Sequence, residues 1–88
     1  MVYFVYLIAS IKYSKTKTYV GYTTNLSKRI SKHNSNKGAK STRGRYWKLV
    51  YFEEYRSKKK ALKREYIIKK NKKVRNKIKS KYLSTMLL

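Results

Sequence analysis

The chain has 88 residues, 41% of them apolar, which bounds it to one small domain with a thin core spanning residues 1–88. Its 25 lysines and arginines face only 3 acids, and a formal net charge of +22 draws polyanions, nucleic acid ahead of a membrane surface. No cysteine occurs, which excludes disulfides, thiolate metal sites and a cysteine nucleophile.

The first run, VYFVYLIAS, is too short to span a bilayer and has no basic residue ahead of it. Neither a signal peptide nor a membrane segment is expected, and the chain is read as intracellular rather than secreted. Its β-branched and aromatic content over Val2 to Ile8 predicts a strand buried on both faces. IKYSKTK reads as a polar, flexible hairpin connection, and TYVGY as the second strand, where Gly21 permits close approach. Thr24 and Asn25 offer N-cap oxygens for a helix over about Leu26 to His33, with Leu26 and Ile30 on its buried edge. NSNKGAKSTRGR, from Asn34 to Arg45, reads as a polar loop mobile enough to clamp a backbone. A third strand is expected over Tyr46 to Phe52. Ser57 caps a helix over Lys58 to Lys70, with Ala61, Leu62, Glu65, Ile68 and Lys69 along one side. A last helix, Lys72 to Leu83, carries Val74, Ile78 and Tyr82 on one stripe, and the final five residues are expected to fray.

Arg29 and His33, four apart, project from one helix face toward the same region. On a helix this basic, a solvated face is the plainer account of the two taken alone. Glu65 is the one acid of three on a core-facing side of a helix, so its charge needs a partner, either a neighbouring cation or a metal ion. Of ten tyrosines, most serve packing or stacking, but Tyr6 and Tyr19 fall where adjacent strands bring them side by side. A phenol with a pKa near 10 acts as a base at neutral pH only if cations or a metal stabilise its phenolate.

FVY at Phe4 to Tyr6, YVG at Tyr19 to Gly21, then Arg29, His33 and Glu65 within ALKREYIIKK together resemble the GIY-YIG nuclease superfamily over about Val2 to Lys70. NKGAKSTRGR and REYIIKK are similar to its small single-domain bacterial members, whereas YVGYTTNLSKRISKHN and Trp47 are similar to the catalytic domain of the eukaryotic structure-specific junction nuclease. The resemblance implies an α/β (α+β) fold, a small three-stranded, mainly antiparallel sheet flanked by about three helices.

It further implies a divalent-metal-dependent endonuclease acting on DNA, branched or nicked, with structure rather than sequence preference. Glu65 would ligate Mg²⁺ or Mn²⁺, Arg29 would hold a phosphate oxygen, Tyr19 or Tyr6 would orient or deprotonate the attacking water, and His33 would assist. Lys37, Lys40, Arg43, Arg45, Lys48, Lys58, Lys59 and Lys60 are the candidate backbone contacts, with simple solubilising charge as the alternative. Trp47 is expected to pack rather than stack on a base. An accessory protein would supply any further specificity. Two departures stand out: Phe4 replaces the leading glycine of the first motif, and Tyr22 and Thr23 replace a lysine that some branches carry after the second. The competing reading is a catalytically inactive basic module that binds nucleic acid by charge alone.

Overall fold

The structure is a computed structural model and describes residues 1–12 and 15–86, apart from the side chains of residues 11 and 82–86. Three antiparallel strands, β1 (Tyr3–Lys12), β2 (Lys15–Thr23) and β3 (Lys48–Tyr55), form a sheet of order β2-β1-β3. β1 is central, and Val5, Tyr6, Leu7 and Ile8 are all buried, as its unbroken apolar run predicts.

The strands are longer than expected. Most of the presumed connection over residues 11–17 is paired strand, since Ser10 faces Lys17 and Lys12 faces Lys15. Tyr13 and Ser14 lie outside the described residues. β3 begins at Lys48, not Tyr46, and continues through Glu53 and Glu54 to Tyr55. An acid is tolerated there because Glu53 meets Arg64 and two tyrosine hydroxyls.

The sheet has two unlike faces. On one, Val5, Leu7 and Val20 pack with Ala61 and Ile68 of α2 (Lys58–Lys70), joined by Val74 and Ile78 of α3 (Lys72–Met86). On the other, Tyr6, Ile8 and Trp47 pack with Leu26 and Ile30 of α1 (Leu26–Asn34). Full burial of such apolar side chains contributes about 1.5–3 kcal/mol each. A bulge in the pairing between Leu7 and Ile8 adds Val50 to β3. It allows Leu49 and Tyr51, two apart, to join opposite faces.

Helix boundaries follow their caps. Asn25 accepts from Lys28 N at 3.1 Å and starts α1, which runs one residue past His33. Ser57 accepts from Lys60 N at 3.3 Å and starts α2 over the expected span. α3 continues beyond Leu83 to Met86; the Tyr82 side chain and residues 87 and 88 lie outside the described residues.

The segment between α1 and β3 is pinned, contrary to its reading as a mobile clamp. Asn34 brackets Trp47, donating to its carbonyl at 3.0 Å and accepting from its N–H at 2.6 Å. Trp47 Nε1 donates to Thr42 O at 2.8 Å, and Gly44 N donates to Asn36 Oδ1 at 2.8 Å. Trp47 is 1% exposed, so it is a packing anchor, as expected. Polar composition concealed these bonds because their partners are distant in sequence.

Candidate active site

Tyr6 and Gly21 are direct partners across the β1–β2 pair. A Cβ on Gly21 would stand 2.5 Å from the Tyr6 hydroxyl, so what approaches this glycine closely is the phenol of the neighbouring strand. Tyr19 lies diagonally, its ring centroid 6.4 Å from that of Tyr6 and 5.0 Å from the His33 ring. The α1 cap sets the helix phase, and the four-residue spacing then delivers both polar side chains to the same phenol. Arg29 Nε donates to Tyr6 Oη at 3.3 Å, and Tyr6 Oη lies 2.8 Å from His33 Nε2.

Proton positions follow from one hydroxyl. Thr42 Oγ1 donates to Ala39 O at 2.7 Å, which uses its single proton. At 2.9 Å from that oxygen, His33 Nδ1 must therefore donate, leaving Nε2 with a lone pair that accepts the Tyr6 O–H. His33 and Thr42 are fully buried and Tyr6 nearly so. Burial pushes the Tyr6 phenol up to about 12, against the opposing pull of Arg29. Burial, then the Arg29 charge, lowers the His33 pKa, so both rings rest neutral. The hydrogen bond to Tyr6 holds Arg29 above its ordinary pKa.

Glu65, on α2, is half-buried, and its charge is felt at the Tyr6 phenol, which it pushes upward. Its nearest cation is Lys69, 3.5 Å away and one turn on, while the Lys69 ammonium stands 6.0 Å from the Tyr19 ring centroid. Tyr6, Tyr19, Arg29 and His33 thus converge, and Glu65 is linked to them through its charge on Tyr6 and through Lys69. Among the described residues, no group of three or more His, Cys, Asp or Glu side chains gathers. A single carboxylate suits a hard cation such as Mg²⁺, which is held by one or two carboxylates and completes its shell with phosphate oxygen and water; it does not suit a closed zinc site.

The candidate backbone contacts are dispersed. Lys58 shares a cleft with Arg29. Arg45 instead donates to the carbonyls of Ser10 and Lys15, at 3.3 and 3.2 Å, and ties the loop to the β1–β2 hairpin. Lys37, Lys40, Arg43, Lys48, Lys59 and Lys60 are exposed. Sequence reasoning missed Thr42, Gly38 and Lys69. Thr42 fixes the His33 tautomer, and a Cβ on Gly38 would collide with His33 Nδ1. No periodicity marks the first two; Lys69 was visible as the residue one turn beyond Glu65. The departure at Phe4 is absorbed by edge-to-face packing on Phe52, centroids 6.0 Å apart.

A family model described as the GIY-YIG catalytic domain matches residues 2–79. A UPF0213 protein of Clostridium perfringens is 52% identical over 61 residues, 68% of this chain and 66% of that protein, so the match spans just under two thirds of that relative. A UPF0213 protein of Staphylococcus haemolyticus is 46% identical over 68 residues, 76% of this chain and 79% of its own. The solution structure of a UPF0213 protein from Bacillus halodurans superposes with a TM-score of 0.52 at 39% identity, covering 91% of this chain and 84% of that one. Among the described residues no helix is long and apolar enough to cross a membrane. With its three-stranded antiparallel sheet, flanking helices and converging Tyr6, Tyr19, Arg29 and His33, the chain belongs to the GIY-YIG nuclease domain family.

Proposed function

We propose that this protein is a divalent-metal-dependent endonuclease that hydrolyses DNA phosphodiester bonds inside the cell, choosing DNA by its structure, branched or nicked, rather than by its sequence. One observation carries the reading: Arg29 reaches the site bonded to a neutral phenol and to no described carboxylate, and the charge of the half-buried Glu65 acts on that same phenol. A guanidinium left uncompensated in this way is suited to a phosphate oxygen, and its planar fork fits that group better than an ammonium does.

Glu65 would hold Mg²⁺ or Mn²⁺, which when bound supplies Lewis-acid stabilisation of the leaving oxygen and the phosphorane charge. Arg29 binds a non-bridging oxygen and orients the phosphodiester. The phenols of Tyr19 and Tyr6 orient the attacking water, and Tyr19, the more open of the two, faces it first. If the water's proton passes to Tyr6 Oη, the Tyr6 proton passes to His33 Nε2 and produces an imidazolium that still donates from Nδ1 to Thr42. In the resting site the Arg29 charge opposes that transfer. A phosphodiester on Arg29 offsets the charge and so favours the transfer when substrate is present. Extra discrimination between DNA structures would come from the protein's own basic surface or from an accessory protein.

The Glu65–Lys69 ion pair favours a second reading, an inactive basic nucleic-acid-binding module in which the carboxylate serves only the helix. Labelled branched, nicked and linear DNA incubated with Mg²⁺ or Mn²⁺ separates the two. Cleavage is expected, with loss of cleavage but retained binding in Glu65→Gln. Equal cutting by that variant removes the metal role of Glu65, and an absence of cutting by the parent protein leaves the binding module.

A further inference from the structure

The exposed cations of this chain are too many to rank by composition, but two polar clefts single out a few of them. One, of about 390 Å³, is lined by Tyr3, Tyr22, Thr23, Thr24, Arg29, Lys32 and Lys58. The other, of about 260 Å³, is lined by Thr18, Tyr19, Val20, Lys69 and Arg75. Each shares a wall with the candidate site, the first through Arg29 and the second through Tyr19. They lie toward opposite ends of residues 18–24, in β2 and just past its end, with Gly21 and the Tyr6 phenol between them. β2 is an edge strand, so a chain can pass along it without displacing another strand.

Both clefts are cationic on two different elements. Lys32 comes from α1 and Lys58 from the first turn of α2; Lys69 comes from the last turn of α2 and Arg75 from α3. Arg75 is held in place because its Nη1 donates to the carbonyls of Ile68 and Lys69, which end α2. The only acid described against this set is Glu65, paired with Lys69. The loop also touches the site, through Thr42 and Gly38 against His33, but its cations Lys40 and Arg43 line neither cleft, and Arg45 ties its end to the hairpin at the level of Ser10. Ser10 is four residues along β1 from Tyr6, about 13 Å at the usual strand rise.

We propose that a DNA strand runs along the β2 edge, with Lys32 and Lys58 holding the phosphate on one side of the scissile linkage and Lys69 and Arg75 holding the phosphate on the other. This rests on the nuclease reading for the identity of the central phosphate, but it concerns binding and is tested without cleavage. A strand held at both neighbours is fixed in register over Arg29, which supplies positioning that one guanidinium alone does not.

The experiment measures binding of a fluorescent oligonucleotide to the full-length Glu65→Gln protein across a salt series. Lys32→Ala with Lys58→Ala, and separately Lys69→Ala with Arg75→Ala, each reduce the slope of log affinity against log salt by about one to two. Lys40→Ala with Arg43→Ala and Lys48→Ala changes it less than either pair. Because Arg75 also caps α2, the same contact is probed from the DNA side. Replacing the phosphate on either side of the central linkage by an uncharged methylphosphonate weakens binding to the Glu65→Gln protein. One of the two replacements no longer matters in the Lys32 and Lys58 double variant. Equal slope losses for the loop triple and the cleft doubles, or methylphosphonates without effect, overturn the path. Cleavage by the parent protein with those outcomes would leave the enzyme reading intact, whereas the expected slopes without cleavage would sink the enzyme reading and keep the path.

Discussion

Two clusters of arginine and tyrosine lie on opposite faces of the sheet and differ in what compensates the guanidinium. On the α2–α3 face, Arg64 grips Glu53 with two bonds, of 2.8 and 3.0 Å, and the same carboxylate accepts from the hydroxyls of Tyr51 and Tyr55. Burial alone would raise the Glu53 pKa, yet Arg64 and the two phenols hold it below its ordinary value. On the α1 face, Arg29 has a 3.3 Å bond to a neutral phenol, and that phenol leans on a neutral histidine. Similar residue types therefore serve two ends. A carboxylate at the centre closes one cluster on itself, while its absence leaves the other able to take an anion from outside.

Substitution at the two arginine clusters should separate activity from stability. Arg29→Ala is expected to reduce kcat by about 10²–10³-fold, the usual effect of deleting one donor to developing charge, and to shift unfolding by under about 1 kcal/mol. Comparable losses in both quantities would show that the α1 cluster is structural as well. Glu53→Gln should do the reverse. It leaves Arg64 uncompensated and costs about 1–3 kcal/mol in denaturant unfolding, with cleavage per folded molecule unchanged. A fall in cleavage beyond the unfolded fraction would mean that the two faces communicate.

The smallest effect concerns pH. His33 is the chain's one histidine and has a lowered folded pKa, so the unfolded chain takes up a proton first as pH falls. Its contribution to stability is complete above the unfolded value, about 6.5, and is lost as pH drops through the folded value. Urea midpoints should be level between pH 7 and 8 and decline below about 6.5, before the acids titrate, and His33→Gln should remove that decline. Equal midpoints at pH 5.5 and 7.5 in the parent protein would refute the buried neutral imidazole.

Much of this arrangement was legible in the residues, for physical reasons that also explain the gaps. The bounds of α2 follow from a cap at Ser57 and a buried stripe at Ala61 and Ile68, both local signals. The central strand declared itself by an unbroken apolar run. β3 runs past its expected end at Phe52 through two acids, and only a partner eleven residues away, Arg64, makes Glu53 acceptable in a sheet. The segment over residues 34–45 looked mobile because its bonds reach from Asn34 to Trp47 and from Arg45 to Ser10. Tyr6, Arg29 and His33 could be grouped from helix spacing and strand adjacency, but Thr42, which decides where the imidazole proton sits, carries no local signature at all.

Gly21 and Gly38 stand where one methyl group would strike, respectively, the Tyr6 hydroxyl and His33 Nδ1. The phenol–imidazole pair is thus cast in a mould whose walls are made by missing atoms. Phe4 fills its place in the first motif by packing on Phe52, whereas the smallest possible enlargement at either glycine would push the phenol and the imidazole out of alignment.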